Sequence, residues 1–224
     1  MKIGIIVAMQ AELDRLLPIV SDMRQVETDG RVIYTGRIGA NEVAVMQCGI
    51  GKVNAAVGTL VLDNFFHPEL VVNSGIAGGT GGAAGILDVM VAEEVAYHDV
   101  WCGPGNERGQ VQGMPARFSC REGLAMLPAL GEIEGLKHGL LASGDMFVDN
   151  RAELDRILSL YPEAIAVDME SGAIAQVCRL RGIPFAVIRV VSDYPGAPDH
   201  LDQYLNFWDD APEATFKVLK TILS

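Results

Sequence analysis

Short runs of apolar, β-branched residues alternate with stretches of helical periodicity along nearly the whole chain. KIGIIVA (2–8) predicts a strand, and the pattern starting at AELDRLL (11–17) predicts a helix. VIYTGRI (32–38) and EVAVMQC (42–48) predict two strands flanking Gly-Ala-Asn at 39–41, a hairpin signal. KVNAAVGTLVLDNF (52–65) predicts a helix with small residues on its packing face. Further strands are expected at LVVNSGI (70–76), VMVAEEVAY (89–97), GLLASGD (139–145), AIAVDM (164–169) and FAVIRVVS (185–192). RAELDRILSLY (151–161), ESGAIAQVCRL (170–180) and PEATFKVLKTIL (212–223) read as helices. Strand runs that are apolar on both faces and separated by helices indicate an α/β fold whose sheet is covered on both sides. The hairpin makes that sheet mixed rather than wholly parallel. The stretch 101–118, rich in glycine and weak in periodicity, predicts a long surface loop, and such loops in compact domains often carry function.

At 224 residues, half of them hydrophobic, the chain can bury one substantial core, so a single α/β domain spanning 1–224 is expected. No apolar run approaches the roughly 20 residues that cross a bilayer. The N-terminal apolar run turns polar without a convincing cleavage site, so it reads as a first strand and the protein as soluble and cytoplasmic. A net charge of −12 argues against a nucleic-acid partner, because a phosphate backbone needs a basic surface. The arginines of CRLRG (178–182) read as a favourable helix terminus. Four cysteines stand far apart, and the histidines at 67, 98, 138 and 200 lack metal-ligand spacing, so neither a metal site nor a disulfide framework is supported.

In sheets of this class ligands bind outside the carboxyl ends of the strands. Glycines and carboxylates collect at that address repeatedly: AMQAE ending in Glu12, GIGK (49–52), SGIAGG (74–79), SGDMF (143–147), DMES (168–171) and SDYPG (192–196). Each piece has a structural alternative. Glu12 in a first helical turn favours the helix dipole, the glycine turns solve backbone geometry, and Asp193 before Tyr-Pro-Gly shapes a turn. Tyr97-His98-Asp99 reads as a strand-end polar cluster. In AVDMES (166–171), however, Asp168 and Glu170 put charge at the seam between a buried strand and a helix, which is costly unless paired. Separated carboxylates in one pocket, without metal ligands or an activated nucleophile, suggest cleavage of a glycosyl bond. Anions stabilise an oxocarbenium-like transition state, one acid protonates the leaving group and another orients water.

The strings MKIGII-AM--E, GIGKVNAA, VVNSGIAGG, AYHD, SGDMFV, AVDMESGAIA and VIRVVSD, taken in order and spacing, resemble the 5′-methylthioadenosine/S-adenosylhomocysteine nucleosidases of the nucleoside phosphorylase superfamily. The resemblance implies a three-layer α/β/α fold with a central mixed sheet, usually dimeric, that hydrolyses the N-glycosidic bond of an adenine nucleoside. By position it implies that Glu12 directs the attacking water. Glu170, with Met169 beside it, would hold the ribose and stay ionised to stabilise sugar cation. Asp193 would donate a proton to N7 of adenine, its pKa raised by burial or by negative charge nearby, with Ser192 and Arg189 helping to position it. Phe147 would stack on adenine while the main chain of Val148 reads the base edge. Met9 and Ile50 would line the alkylthio end, and Met114 and Pro115 would come from a partner subunit. Ile76 departs from the family pattern, standing where relatives commonly carry serine or threonine. Asp168 is expected to be structural, and no cofactor is implied.

Competing expectations are a phosphorylase of the same superfamily, a futalosine-type hydrolase, and a nucleoside-binding protein without catalysis. Glu12 occupies the region where a phosphorylase would need cationic residues for its phosphate, which favours hydrolysis.

Overall fold

Lys2–Val7 forms β1, which lies between two parallel partners: Ile3 faces Val43 of β4 (Asn41–Gln47) on one side and Leu70 of β5 (Leu70–Gly79) on the other. The structure, a computed structural model, describes residues 1–210 and 213–223, with the side chains of 209, 210 and 213–217 outside the description. Beyond β5 the sheet continues in parallel to β10 (Phe185–Asp193), which runs antiparallel to β6 (Val89–Tyr97). Next come β8 (Lys137–Ser143) and β9 (Ala164–Asp168), both in parallel register. β9 then returns to β5, pairing Val167 with Gly78 and Ala166 with Gly79. Five strands therefore close on themselves, while β1, β4, β3 (Arg31–Ile38) and β2 (Ser21–Thr28) extend from β5 as an open wing. The closure depends on a close approach at the end of β5: a Cβ on Gly78 would sit 2.8 Å from Pro195 Cγ.

Helices cover both faces, as the apolar strands require. α2 (Lys52–Phe66) and α5 (Ser171–Arg181) share a buried cluster in which Ala55, Leu62, Ile174 and Cys178 meet Ile6, Val71 and Val187. On the opposite face α1 (Gln10–Leu16) and α7 (Glu213–Leu223) bring Leu13, Leu16, Leu219, Ile222 and Leu223 onto Ile3, Ile5, Val72 and Ile188. α4 (Arg151–Leu160), capped by Asn150 accepting from Glu153 N at 3.0 Å, buries Leu154 and Ile157 against β8 and β9. Each such side chain contributes about 1.5–3 kcal/mol relative to exposure. The mixed, two-sided α/β sheet is the expected fold class, curled further than a flat three-layer sandwich.

Elements of the expected set are present with shifted ends; β5, for example, runs on to Gly79. Pro212 of the C-terminal helix pattern lies outside the described residues. Besides the short β7 (Phe118–Ser119), α3 (Arg121–Ala125) and two 3-10 turns, two longer elements escaped the sequence pattern. β2 is an edge strand, SDMRQVET, mostly exposed and held by its ladder to β3, so no apolar alternation marks it. α6 (His200–Asp210) carries Leu201, Tyr204, Leu205 and Trp208 at helical spacing; it is anchored by Phe207, while Leu201 and Leu205 remain exposed. The 101–118 stretch is irregular until β7 (Phe118–Ser119) pairs with β6.

Candidate active site

All six strand-end addresses meet in one cleft. Ala8, Met9 and Glu12 follow β1; Ile50 follows β4; Ile76, Ala77 and Gly78 lie at the end of β5. Met146, Phe147 and Val148 follow β8; Asp168, Met169 and Glu170 follow β9; Ser192, Asp193 and Pro195 follow β10, and α6 adds Tyr204. The β5–β9 pairing brings the DMES corner beside the SGIAGG strand end. Phe147 and Ile50, each about half exposed, stand at the open side.

Glu12 caps its own helix and faces the cleft at once. Its Oε2 accepts from Ala8 N (2.8 Å) and Met9 N (2.9 Å), and its Oε1 from Ile76 N (3.0 Å). Capping of the helix and a place in the cleft thus coexist in one carboxylate. Burial pushes its pKa up, against Arg189 and the three main-chain donors. Gly75 makes room for this arrangement: at φ +147° its missing Cβ would lie 2.2 Å from Glu12 Oε1 and 2.5 Å from Arg189 Nη1.

The charges of AVDMES are paired by Arg189, which is fully buried in β10. Its guanidinium forms an ion pair with Asp168, donates to Asn73 Oδ1 (2.7 Å) and Ser74 O (3.0 Å), and lies 3.7 Å from Glu170 Oε2. Asp168 also accepts from Ser171 N (3.2 Å) and Ser171 Oγ (2.5 Å), so it organises the start of α5. The expectation that Arg189 positions Asp193 is corrected by this geometry, since its hydrogen bonds run to the Asp168 and Asn73 side.

Asp193 meets other groups: Ser192 Oγ donates to Oδ1 at 2.5 Å, and His200 Nε2 lies 2.8 Å from Oδ2 without hydrogen-bond alignment. Burial raises the Asp193 pKa, while Ser192 and His200 moderate the rise. Glu170 accepts from Gly51 N at 2.9 Å. Burial first and Asp168 second push Glu170 up to about 7, with Arg189 and Gly51 N opposing them. The expectation that Glu170 stands as a plainly ionised partner to a raised Asp193 therefore needs correction, because burial raises both.

The GIGK turn is itself pinned from the Tyr97-His98-Asp99 cluster. Asp99 pairs with Lys52 Nζ (2.8 Å) and accepts from Asp145 N (2.8 Å), and Asp145 accepts from Lys52 N (2.7 Å). These contacts hold the turn that presents Gly51 N to Glu170. Of the residues expected at the site, Met9, Glu12, Ile50, Ile76, Phe147, Val148, Met169, Glu170, Ser192 and Asp193 line the cleft. Met114 packs partly buried on the α2–α5 cluster, and Pro115 borders a separate depression with Arg117 and Arg121. Tyr204 and His200 were not foreseen because they stand on α6, a helix outside the expected set although Leu201, Tyr204, Leu205 and Trp208 fall at helical spacing.

The cleft lining carries four carboxylates and neither lysine nor arginine among the described residues. Cys48 is buried and its pKa is pushed to about 12, first by burial and then by Glu170, which leaves it no thiolate character near neutral pH. No group of three or more metal-ligating side chains occurs among the described residues, and no described helix is long and apolar enough to cross a membrane. A strand-end cleft of this kind, with paired carboxylates at its seams, belongs to the phosphorylase superfamily, whose family model matches residues 2–224. A 5′-methylthioadenosine/S-adenosylhomocysteine nucleosidase of Glaesserella parasuis is 39% identical over 212 residues, covering 92% of each chain. The S-adenosylhomocysteine nucleosidase of Streptococcus pyogenes, solved with 5-methylthiotubericidin, superposes with a TM-score of 0.92 at 35% identity, covering 100% of this chain and 96% of the other. The corresponding nucleosidase of S. pneumoniae, solved with the transition-state inhibitor MT-ImmA, gives 0.92 at 32% identity, covering 100% and 98%. Within the superfamily, the chain belongs to the 5′-methylthioadenosine/S-adenosylhomocysteine nucleosidases.

Proposed function

We propose that this chain, acting as one domain, hydrolyses the N-glycosidic bond of 5′-methylthioadenosine and S-adenosylhomocysteine, releasing adenine and a 5-alkylthioribose. The observation that carries the hydrolytic reading is the cleft lining: acids from three strand ends surround it, and its nearest guanidinium, Arg189, is buried and committed to Asp168, Asn73 and Ser74. A phosphate nucleophile would meet repulsion there, whereas water and a developing sugar cation are favoured.

In this reading Glu12, fixed by three main-chain donors, orients and deprotonates water for attack at C1′. Asp193, whose protonated form burial favours, passes a proton to N7 as the C1′–N9 bond breaks and its electron pair moves to the base. Glu170 holds the ribose hydroxyls; a sugar cation beside it draws its pKa down from about 7, so charge develops where the transition state needs it. Phe147 supplies a face for adenine and Val148 its main chain. Met9, Ile50 and Ile76 give the 5′ end an apolar wall, with Tyr204 Oη 3.6 Å from Met9 Sδ.

The same reading includes a homodimer and a cytoplasmic setting. Val53, Val57 and Leu60 of α2, Leu180 of α5 and nearby Trp101 are exposed, an apolar surface suited to a second copy whose Met114 and Pro115 complete the 5′ pocket. Four free cysteines suit a reducing compartment.

The test is chromatography of products from methylthioadenosine, S-adenosylhomocysteine, adenosine and inosine, each with and without phosphate. Adenine and free pentose from the thio-nucleosides, indifferent to phosphate, are expected. A pentose 1-phosphate formed only with phosphate would establish a phosphorylase instead.

A further inference from the structure

His200 opens α6 and is buried, 5% exposed, in contact with two residues from different parts of the cleft. Its Nε2 lies 2.8 Å from Asp193 Oδ2, and its ring lies 5.4 Å from the Phe147 ring at a 31° tilt. The helix that carries it is tied to the same turn: Tyr194 N donates to Gln203 Oε1 at 2.9 Å, and His200 N to Ala197 O at 3.1 Å. Asp193 is thus contacted at both oxygens, by the Ser192 hydrogen bond on Oδ1 and by the His200 ring nitrogen lying close to Oδ2 without hydrogen-bond alignment, which restricts the rotation of the carboxyl plane. A carboxyl free to rotate would present its proton in many directions; one bonded at one oxygen and hemmed in at the other presents it in few.

We propose that His200 is a positioning residue for the reaction, aiming the Asp193 carboxyl at the departing base and setting the Phe147 ring against that base. The inference rests on the reading of Asp193 as the proton donor to adenine. It adds a role for α6 that no strand-end motif signals: the helix clamps the acid and also lends Tyr204 to the cleft. His200 does not line the cleft itself, so its action passes through Asp193 and Phe147.

The consequence is selective by leaving group. Adenine needs its proton to depart, whereas p-nitrophenolate leaves without one. The experiment compares 5′-methylthioadenosine with p-nitrophenyl 5-methylthio-β-D-riboside on wild type, His200→Ala, His200→Gln and Asp193→Asn, with melting temperatures recorded for each. A placed general acid contributes about 10²–10⁴-fold. Losing its aim is expected to lower kcat for the nucleoside by about 10- to 100-fold, with KM and aryl-riboside cleavage changed less than about 3-fold. His200→Gln, which keeps a polar group near Oδ2, should recover much of the nucleoside rate and carries the test if His200→Ala does not fold. Equal losses on both substrates, or no loss on either, would overturn the proposal. If Asp193→Asn loses nucleoside cleavage while the His200 variants keep it, the donor assignment stands and the positioning role alone fails. Wild-type nucleoside cleavage by Asp193→Asn would remove both.

Discussion

The main-chain nitrogen of Ile76 donates to Glu12 Oε1 at 3.0 Å, so the acid is held at this point by backbone and not by the side chain of residue 76. Residue 76 carries no hydroxyl, yet Glu12 keeps three main-chain donors, from Ala8, Met9 and Ile76. The Ile76 side chain is instead spent on packing with Val190 and Phe207, the seam that docks α6.

This arrangement separates two variants. Glu12→Gln should bind a nucleoside in a calorimetric titration yet cleave it about 10²–10⁴-fold more slowly, the range expected for loss of a general base. Ile76→Ser should change kcat by less than about 5-fold, well below that range. A large gain on restoring the hydroxyl would show that the backbone grip on Glu12 is insufficient.

Gly75 offers a steric test of the same acid. A methyl group there would lie 2.2 Å from Glu12 Oε1 and 2.5 Å from Arg189 Nη1, so Gly75→Ala must displace one or both. A displacement near 1 Å at a reacting group costs about 10²-fold, and kcat is expected to fall at least that far. Steady-state rates beside a melting curve check it; an active, stable variant would contradict the geometry.

Glu170 makes stability depend on pH. Its folded pKa, about 7, stands above the ordinary 4.5, so the native protein retains a proton that the unfolded chain releases across that window. Raising the pH from 5 to 8 therefore erodes stability through this group. Glu170→Gln removes the effect, so the melting temperature of the variant minus that of wild type should increase with pH, by a few degrees over the window. A difference independent of pH would mean that Glu170 is not raised by its burial.

The exposed face of α2 carries the prediction about assembly. Val57→Glu, at a position 45% exposed in the single chain, should leave the fold intact and yield a monomer by light scattering, with activity reduced in step. A dimer that persists would place the subunit contact elsewhere.

The site was legible because the chemistry lies at strand ends, where short glycine- and acid-bearing strings interrupt apolar runs. The ten residues that line the cleft as expected all come from such strings. The assignment of Arg189 to Asp193 came from the family resemblance alone; on β10 its side chain reaches Asp168 and Asn73 instead. His200 and Tyr204 were missed with their helix, which no strand-end motif marks although its apolar residues fall at helical spacing. β2 went unseen because an exposed edge strand is specified by its ladder to β3 and not by an apolar pattern. The closure of five strands was also out of reach, as it depends on β9 meeting Gly78 and Gly79, a pairing that no local pattern announces.

The central claim is that water, directed by Glu12, attacks C1′ of a thio-nucleoside. Cleavage of 5′-methylthioadenosine in ¹⁸O-enriched water, followed at single turnover by mass spectrometry of the sugar, tests it most directly. One ¹⁸O at C1 of free 5-methylthioribose, with adenine unlabelled and the rate unchanged by added phosphate, is the predicted result. A sugar that carries phosphate at C1 and no solvent oxygen would contradict it.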